Sequence, residues 1–418
     1  MSEITGRFIH ITGIVQGVGF RPFVYKLAKQ YQLTGWVKNT SAGVEILVSG
    51  APNNILEFEA QIPIQAPPLS KIDQITSTPV SANHFEDFKI LESQEIEAAF
   101  IPISPDISIC DDCLNELFDP HDRRYLYPFI NCTNCGPRFT IIKDIPYDRP
   151  NTTMADFPMC EACAAEYHNP ENRRFHAQPV ACPTCGPHVW IEKKDSLWQA
   201  EEFSSDAQAI KRAQEYLLQG KILAIKGIGG FHLACDALNK NAVLALRERK
   251  RRVDKPFAVM MPDLETVSQY CIITSEEAAL LTSKERPIVI LRRKPDAGIA
   301  AEVAPFQSTV GVMLPYSPLH FMLFYDYQNQ SYQHYPLKVL VMTSGNRSEE
   351  PIATENDAAR EQLNDLADIF VMHNRPIFIR CDDSVTRVVQ LNEKTRQDYP
   401  VRRSRGYAPN PIRLRQHL

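Results

Sequence analysis

Hydrophobic and polar positions alternate over residues 1–91 with two different periods. A period of two recurs in RFIHITGIV, GWVKN, GVEILVSG, KIDQITSTPV and HFEDFKIL, and a helical period recurs in RPFVYKLAKQYQL and NNILEFEAQI. Alternation at every second position predicts half-buried strands, whereas a spacing of three to four predicts an amphipathic helix. The resulting order predicts a ferredoxin-like βαββαβ domain over this range.

This patterning is lost between residues 105 and 190. The segment contains ten prolines from Pro120 to Pro187 and few regularly spaced apolar residues. A chain of this kind buries too little apolar surface to fold without a cross-link or a metal ion. We therefore expect its eight cysteines to hold it together.

Regular patterning returns over residues 200–418. Strand-like runs (KILAIKG, RPIVILRR, LKVLVMTSG, DIFVMHN) alternate with helical runs (SDAQAIKRAQEYLLQG, NAVLALRERKRR, ENDAAREQLNDL). Such alternation predicts an α/β domain with a mostly buried sheet. Residues 63–68, residues 101–105 and the run EKKDSLWQAEE are predicted as loops and linkers. The whole chain is thus predicted to be an α+β multidomain protein.

The composition narrows the class of protein. The 418 residues are 44% hydrophobic and 23% charged, with a formal net charge of −5. This balance is typical of globular proteins and argues against a dedicated binder of polyanions. The N-terminus has no apolar core of a signal peptide, and no apolar stretch approaches the roughly 20 residues that cross a bilayer. We expect a cytoplasmic protein without a membrane partner.

Eight of the eleven cysteines form four C-x-x-C pairs that repeat after 50 residues without a gap. In each copy 18 residues separate the two pairs, and Cys-Gly-Pro ends both copies. Two such pairs form a tetrahedral four-thiolate site with no position left for water, so two structural zinc ions are predicted. The duplication favours one zinc per copy, although crossed pairing fits the spacing too. The predicted ligands are Cys110, Cys113, Cys132, Cys135, Cys160, Cys163, Cys182 and Cys185.

The remaining cysteines and the nearby histidines are predicted to have packing roles. Because the thiolates already fill both zinc sites, we expect His168, His176 and His188 to be surface or packing residues. Buried, unreactive thiols are expected at Cys235, Cys271 and Cys381.

A glycine-rich turn joins the first predicted strand to the first predicted helix. Backbone N–H groups in such a turn converge on an anion, helped by the helix N-terminus, and Arg21 adds a guanidinium. The residues predicted to bind phosphate are Gln16, Gly17, Val18, Gly19, Phe20 and Arg21. Lys26 and Lys38 are read as solvated surface charges.

This turn, together with Asn39 in GWVKN, closely resembles the acylphosphatase family, whose loop reads G-x-V-Q-G-V-G-F-R. The resemblance implies that Arg21 binds the phosphate, that Asn39 orients the attacking water and that the loop amides stabilise the developing charge. The alternative is a domain that keeps the fold without the activity.

Several polar and cationic clusters of the C-terminal domain together resemble the YrdC family, which binds ATP and forms a carbamoyl-type adenylate. Its K-x-R-x-x-K-P element maps onto residues 250–256, with Val253 in place of a common proline, and its T/S-S-x-N element maps onto residues 343–346. The candidate nucleotide- and carbamoyl-binding residues are Lys226, His232, Lys250, Arg252, Lys255, Thr309, Thr343, Ser344, Asn346, Arg380, Asp382, Asp383, Ser384 and Arg403.

Some roles within this set stay open. Asp382 and Asp383 either support Mg²⁺ or fix neighbouring arginines. His232 and His373 either take part in acid–base chemistry or make structural hydrogen bonds.

The three segments in this order resemble the N-terminal part of the HypF family, the [NiFe]-hydrogenase maturation carbamoyltransferases. The resemblance implies cleavage of carbamoyl phosphate, ATP-dependent formation of carbamoyl adenylate, and later transfer to the C-terminal cysteine of HypE for cyanide ligand synthesis. The family's last transferase domain is expected beyond GYAPNPIRLRQHL, so this chain is expected to adenylate but to transfer poorly.

Two other functions remain as alternatives. A tRNA threonylcarbamoyl-adenylate synthase shares the YrdC-like domain, but the acylphosphatase loop and the eight cysteines count against it. A zinc-dependent RNA-binding module would use the six cations between Arg247 and Lys255, yet no aromatic residues are interleaved with them for base stacking. Nucleic acid is therefore not an expected partner.

Overall fold

The computed structural model describes residues 4–40, 42–67, 69–82, 85–91, 103–194, 200–295, 297–347, 350–392 and 395–412. Ser41, and parts of the predicted linkers at 63–68, 101–105 and 192–202, lie outside these residues. Contacts between Cα atoms divide the chain into two compact units. The first comprises residues 1–105, 131–181 and 409–418, and the second comprises residues 106–130 and 182–408.

A five-stranded sheet with two helices forms the N-terminal part of the first unit. Its elements are β1 (Thr5–Ile14), α1 (Phe20–Gln30), β2 (Thr34–Thr40), β3 (Gly43–Gly50), α2 (Pro52–Gln65), β4 (Lys71–Val80) and β5 (Phe88–Ile90). The strand order is β4-β1-β3-β2-β5, antiparallel except for the β2–β5 pair. The first four strands have the ferredoxin-like arrangement that the sequence predicts, and β5 extends the sheet beside β2.

The alternating pattern of the strands places their apolar side chains on the helix-covered face of this sheet. Ile9 and Ile11 of β1, Val37 of β2 and Ile46 of β3 are fully buried, and they pack in one core with Phe58 of α2. This core fixes the register of β1 against β3 and of β2 against β3, because a one-residue slip would turn every apolar side chain outward. The β1–α1 turn and the end of β2 are thereby held in place.

The cysteine-rich segment repeats its local structure as it repeats its sequence. Helix α3 (Asp111–Phe118) follows directly after Cys110, and helix α4 (Glu161–His168) follows directly after Cys160. The two helices are therefore offset by the same 50 residues as the cysteines. Between the copies the chain forms two short 3-10 turns, Arg149–Asn151 and Thr153–Asp156.

A mixed sheet dominates the second unit. Its strands are β6 (Val189–Lys193), β7 (Ala200–Glu201), β8 (Leu223–Lys226), β9 (Phe231–Asp236), β10 (Ala258–Met260), β11 (Cys271–Ile272), β12 (Ile288–Arg293), β13 (Thr309–Met313), β14 (Leu340–Ser344), β15 (Ile369–His373), β16 (Val385–Gln390) and β17 (Arg396–Arg402). The order is β17-β16-β12-β13-β10-β14-β9-β8-β15-β6-β7, with β11 paired to β12.

Among the residues that the structure describes, six helices accompany this sheet: α5 (Asp206–Leu218), α6 (Lys240–Arg249), α7 (Leu264–Tyr270), α8 (Ser275–Thr282), α9 (Pro318–Phe324) and α10 (Asn356–Leu363). The central strands β8, β9, β14 and β15 are almost entirely buried, as the apolar runs predict, whereas β17 at the sheet edge is exposed along its whole length. No helix within the described parts of the chain is long and apolar enough to span a bilayer.

Candidate functional site

The turn between β1 and α1 is shaped by two glycines in the left-handed region. Gly17 has φ 68° and Gly19, the N-cap of α1, has φ 74°, conformations that cost a glycine little. The Gln16 amide donates to the carbonyls of Thr40 (2.8 Å) and Gly43 (3.2 Å), which ties the turn to the β2–β3 hairpin. The predicted phosphate loop is thus a fixed turn at the start of a helix.

Arg21 and Asn39 lie together at this turn, and both are buried. The hydrogen-bond network orients the Asn39 amide so that its oxygen accepts from Arg21 Nε (3.1 Å) and Nη2 (3.3 Å). Arg21 Nη2 also donates to Asp148 Oδ1 at 2.9 Å. The guanidinium is therefore held between an amide and a carboxylate.

A cavity of about 30 Å³ lies at these two residues. Gln16, Gly17, Gly19, Phe20, Arg21 and Asn39 line one side, as the acylphosphatase resemblance implies; Val18 is buried and is not among the lining residues. The cysteine-rich segment supplies further lining residues, none of which was predicted to belong to the phosphate site: Cys132, Thr133, Arg138, Tyr147, His176, Ala177, Gln178 and Pro179.

Arg138 connects the first cysteine copy to the phosphate loop. Its Nε donates to the Gly17 carbonyl at 2.8 Å, while Nη1 donates to Cys135 O (2.5 Å) and Gly136 O (2.8 Å) and Nη2 donates to Thr133 O (2.8 Å). Since a guanidinium presents its donors in a rigid plane, these bonds fix the loop carbonyl relative to the cysteine turn. Spacing from the Cys-Gly-Pro motif could have indicated Arg138, because the motif precedes it directly.

The three histidines of the cysteine-rich segment differ in position. His168 is exposed and His188 is half-exposed, as predicted. His176 packs against the rings of Tyr167 and Phe175 but also lines the phosphate cavity. Burial, with a smaller contribution from Arg21, lowers the pKa of His176 to about 4, so this imidazole is neutral near pH 7.

A second and larger cavity, of about 440 Å³, lies in the second unit. Seven of the predicted residues line it: Arg252, Lys255, Thr309, Thr343, Ser344, Asp382 and Asp383. Arg252 stacks over the Phe257 ring at 4.7 Å, and its Nη1 donates to Thr343 Oγ1 at 3.0 Å. The structure thereby joins the two motif elements of the YrdC resemblance in one cleft.

Lys250 does not line this cleft but binds Ser344, which does. Its Nζ donates to Ser344 O (2.7 Å), Asn346 O (2.8 Å) and Asn346 Oδ1 (3.2 Å). Burial, together with the nearby Arg252 and Lys255, lowers the pKa of Lys250 to about 7. Three carbonyl acceptors match the three N–H donors of an ammonium group, which favours the charged form in this geometry.

The two aspartates of the cleft contact cations of the protein. Asp383 accepts from Arg405 Nε at 2.8 Å and contacts His232 Nε2 at 2.9 Å. Burial alone would raise the pKa of the Asp383 carboxyl, but Arg405 and His232 hold it well below its usual range. Asp382 pairs with Arg402 at 2.7 Å. These contacts correspond to the arginine-fixing alternative.

The other predicted residues of the second unit lie outside the lining of this cleft. Lys226 is buried, and its Nζ donates to Asn356 Oδ1 (2.7 Å) and to His373 O (3.1 Å). Burial lowers the pKa of Lys226 to about 8. Ser384 Oγ donates to Arg405 O, and Arg380 is exposed. The cleft is lined by Arg402 rather than by the predicted Arg403.

His373 has the contacts of a structural residue. It is fully buried, its Nε2 lies 3.2 Å from Gly227 O, and its ring packs edge-on against Phe129. Burial, with Lys226 and Arg375 nearby, keeps its pKa well below the usual range. The ring is therefore neutral and supports the glycine turn after β8.

Among the described residues, two groups of cysteines are arranged as metal ligands. Within each group the sulfur atoms lie within 4.8 Å of one another, and the groups are Cys110, Cys113, Cys132 and Cys135, and Cys160, Cys163, Cys182 and Cys185. The Cys132–Cys135 and Cys182–Cys185 sulfurs are 3.8 Å apart, which is the edge of a tetrahedron with Zn–S bonds of about 2.3 Å. The grouping follows the two sequence copies rather than the crossed pairing, and it fits two structural zinc ions.

The three remaining cysteines are buried, as predicted. Burial raises the pKa of Cys271 to about 11 and that of Cys381 to about 12, and it also raises that of Cys235. These thiols therefore stay protonated near pH 7, and a protonated thiol is a poor nucleophile.

Three family profiles match this chain in succession. The acylphosphatase profile matches residues 7–90, the HypF finger profile matches residues 109–142 and 159–192, and the Sua5/YciO/YrdC profile, described as "Telomere recombination", matches residues 215–402. The fold and the sites thus define a multidomain protein with an acylphosphatase domain, two zinc-finger copies and a Sua5/YrdC-like α/β domain.

Several proteins of known identity are similar to nearly the whole chain. Carbamoyltransferase HypF2 of Cupriavidus necator is 49% identical over 97% of this chain, and Carbamoyltransferase HypF of Synechocystis is 46% identical over 97%. A crystal structure described as full-length HypF in the phosphate- and nucleotide-bound form superposes on 99% of this chain and 52% of its own, with a TM-score of 0.90 and 50% identity. The chain belongs to the HypF carbamoyltransferase family. It spans about half the length of the curated relatives it matches.

Proposed function

We propose that the first unit cleaves carbamoyl phosphate and that the second unit uses ATP to convert the released carbamate into carbamoyl adenylate. The observation that carries this proposal is the pairing of buried Arg21 with Asn39 at one small cavity on a glycine turn. The Arg21 guanidinium would bind the phosphoryl oxygens, and the loop amides would stabilise charge that develops on them. Asn39 would hold the attacking water through the amide N–H₂ that Arg21 leaves unused.

The cleft of the second unit would bind ATP. Arg252 and Lys255 would contact the phosphates, while the hydroxyls of Thr343 and Ser344 would hydrogen-bond the phosphate or carbamoyl oxygens. Carbamate oxygen would attack the α-phosphorus, and pyrophosphate would leave. The size of the cleft and its cationic lining support a nucleotide more readily than a small ion.

Mg²⁺ would enter this cleft with the nucleotide. The Asp383 side chain is only 5% exposed and is held by Arg405 and His232, whereas the Asp382 side chain is 32% exposed beside Arg402, so Asp382 is the better supplementary ligand of the two. The ion would neutralise phosphate charge as pyrophosphate leaves. The two zinc ions would have a structural role only.

We extend the proposal to the whole pathway and to the domain limits. The activated carbamoyl group would be transferred later to the C-terminal cysteine of HypE in the cytoplasm, for synthesis of a cyanide ligand. We propose domains over residues 1–91, 105–190 and 200–418. Membranes and nucleic acids have no part in this function.

The decisive experiment measures ATP–pyrophosphate exchange with carbamoyl phosphate as the only carbamoyl source. We expect exchange with the wild-type chain and none with Arg21→Ala, because that variant releases no carbamate. Exchange driven instead by threonine and bicarbonate would identify a threonylcarbamoyl-adenylate synthase. Salt-sensitive RNA binding without ATP turnover would identify an RNA-binding module.

A further inference from the structure

The stretch between the two zinc-finger copies brings a carboxylate to the phosphate loop. Asp148 lies 127 residues from Arg21 in sequence, and its Oδ1 accepts from Arg21 Nη2 at 2.9 Å. The side chains are 22% and 8% exposed, respectively, so water screens this pair less than a surface pair. A charge-assisted bond of this length constrains the direction of the guanidinium.

Asp148 belongs to a largely buried hydrogen-bond network. Gln178 Nε2 lies 3.5 Å from Asp148 Oδ1, and Gln178 Oε1 accepts from the Arg149 backbone N–H (2.7 Å) and from the Tyr167 hydroxyl (2.9 Å). The Arg149 side chain in turn donates to the carbonyls of Gln178 and Val180. The loop that carries the carboxylate is thus fixed independently of Arg21.

Asn39 and Asp148 both accept hydrogen bonds from Arg21. The Asn39 oxygen accepts from Nε and Nη2, and Asp148 Oδ1 accepts from Nη2. The Asn39 oxygen contacts one edge of the guanidinium, and the Asp148 carboxylate adds a second, charged acceptor that further restricts its orientation. This orientation matters because the developing phosphoryl charge must meet the N–H donors at hydrogen-bond distance.

We propose that Asp148 is a positioning residue for Arg21, so that the zinc-finger segment completes the acyl-phosphate site of the first unit. This inference rests on the proposed cleavage of carbamoyl phosphate. The Asp148 carboxylate also carries a negative charge next to the site of an anionic substrate. It therefore improves the orientation of Arg21 while it weakens the binding of phosphate.

These opposed effects give the proposal a measurable signature. Asp148→Asn keeps an oxygen near Nη2 but removes the charge, so we expect kcat for carbamoyl phosphate to fall about tenfold to a hundredfold. We expect inorganic phosphate, used as a competitive inhibitor, to bind severalfold more tightly. Asp148→Glu restores the charge and should recover part of kcat together with the weaker phosphate binding.

Asp144→Asn is the matched control, because Asp144 is an exposed aspartate of the same loop whose Oδ1 accepts from the Ile145 N–H. It should behave as wild type. Unchanged kcat in Asp148→Asn would overturn the proposal, and so would a lower kcat with weaker phosphate binding, which indicates a merely structural role. If Arg21→Ala also left cleavage unchanged, the proposed function itself would fail; loss in Arg21→Ala with no effect in Asp148→Asn would reject the positioning role alone.

Discussion

The cavity at the phosphate loop and the cleft of the second unit differ in how firmly their cationic side chains are held. The first cavity has a volume of about 30 Å³, and its arginine is buried between Asn39 and Asp148. The second has about 440 Å³, and of its cations Arg252 is partly buried while Lys255 is exposed. A buried guanidinium in a small cavity suits a transition state, whereas an exposed cation such as Lys255 at a wide cleft suits a larger ligand that enters and leaves.

The largest effect should come from removing the fixed guanidinium. We expect Arg21→Ala to lower phosphate release from carbamoyl phosphate at least about a hundredfold, as loss of a preorganised donor does elsewhere. ATP binding to the second unit should not change, which calorimetry can check. Lys26→Ala, an exposed cation on the same helix α1, is the control. A similar loss in both variants would mean that phosphate release depends on the total positive charge near the cavity and not on the orientation of one guanidinium.

The second largest effect should come from loss of one zinc site, which should slow acyl-phosphate cleavage at the small cavity. Cys132 lines this cavity as well as belonging to the first cysteine group, so Cys132→Ser should lower the zinc content from two ions to one per chain. Acyl-phosphate cleavage should fall about tenfold, because the wall depends on this cysteine turn. Metal analysis and phosphate release test both effects. Cys381→Ser should retain two zinc ions; loss of zinc there would contradict the assignment.

The wide cleft should respond more modestly to loss of one cation. Arg252→Ala should weaken ATP binding about tenfold, since it removes one charged hydrogen-bonding group among several. Arg251→Ala alters an exposed neighbour and should leave the dissociation constant unchanged. A loss of a hundredfold or more with Arg252→Ala would show that this cleft is as preorganised as the small cavity, and the contrast between them would then fail.

The smallest effect concerns acid stability of the first unit. The pKa of His176 is about 4 when folded and about 6.5 when unfolded, so the unfolded chain binds more protons between these values. Stability should therefore fall as pH drops from 7 to 5, by about 2 kcal/mol from this residue. His176→Asn tolerates the positive φ of 53° and removes the effect. Denaturant unfolding of both proteins at pH 7 and pH 5 measures the difference; parallel losses would contradict it.

The sequence predicts those parts of the molecule that depend on local periodicity or on fixed spacing. The first sheet follows from alternation in β1 to β4, and the cysteine groups follow from an exact 50-residue repeat. Asp148, Tyr147 and Gln178 could not be predicted in the same way. They lie in a segment without apolar periodicity, and their approach to the phosphate loop depends on contacts between residues more than 100 positions apart.

The edge strand β17 is a second region whose side-chain orientation the sequence does not predict. All seven of its residues are exposed, so no apolar alternation indicates which face each residue occupies. Its pairing with β16 also shifts register, from Val385 opposite Arg402 to Thr386 opposite Pro400. A bulge of this kind changes which side chains face the sheet. Val401 and Arg402, the residues at this shift, both line the cleft.

The 50-residue offset pairs Arg138 of the first zinc-finger copy with His188 of the second. Both follow Cys-Gly-Pro, yet Arg138 binds the Gly17 carbonyl, whereas His188 is half-exposed and lies 3.4 Å from Asp206. Each copy supplies one four-cysteine group, but the residues that follow Cys-Gly-Pro contact different parts of the chain. We therefore expect that exchanging the copies would preserve metal content but remove the Arg138 hydrogen bond to the phosphate loop.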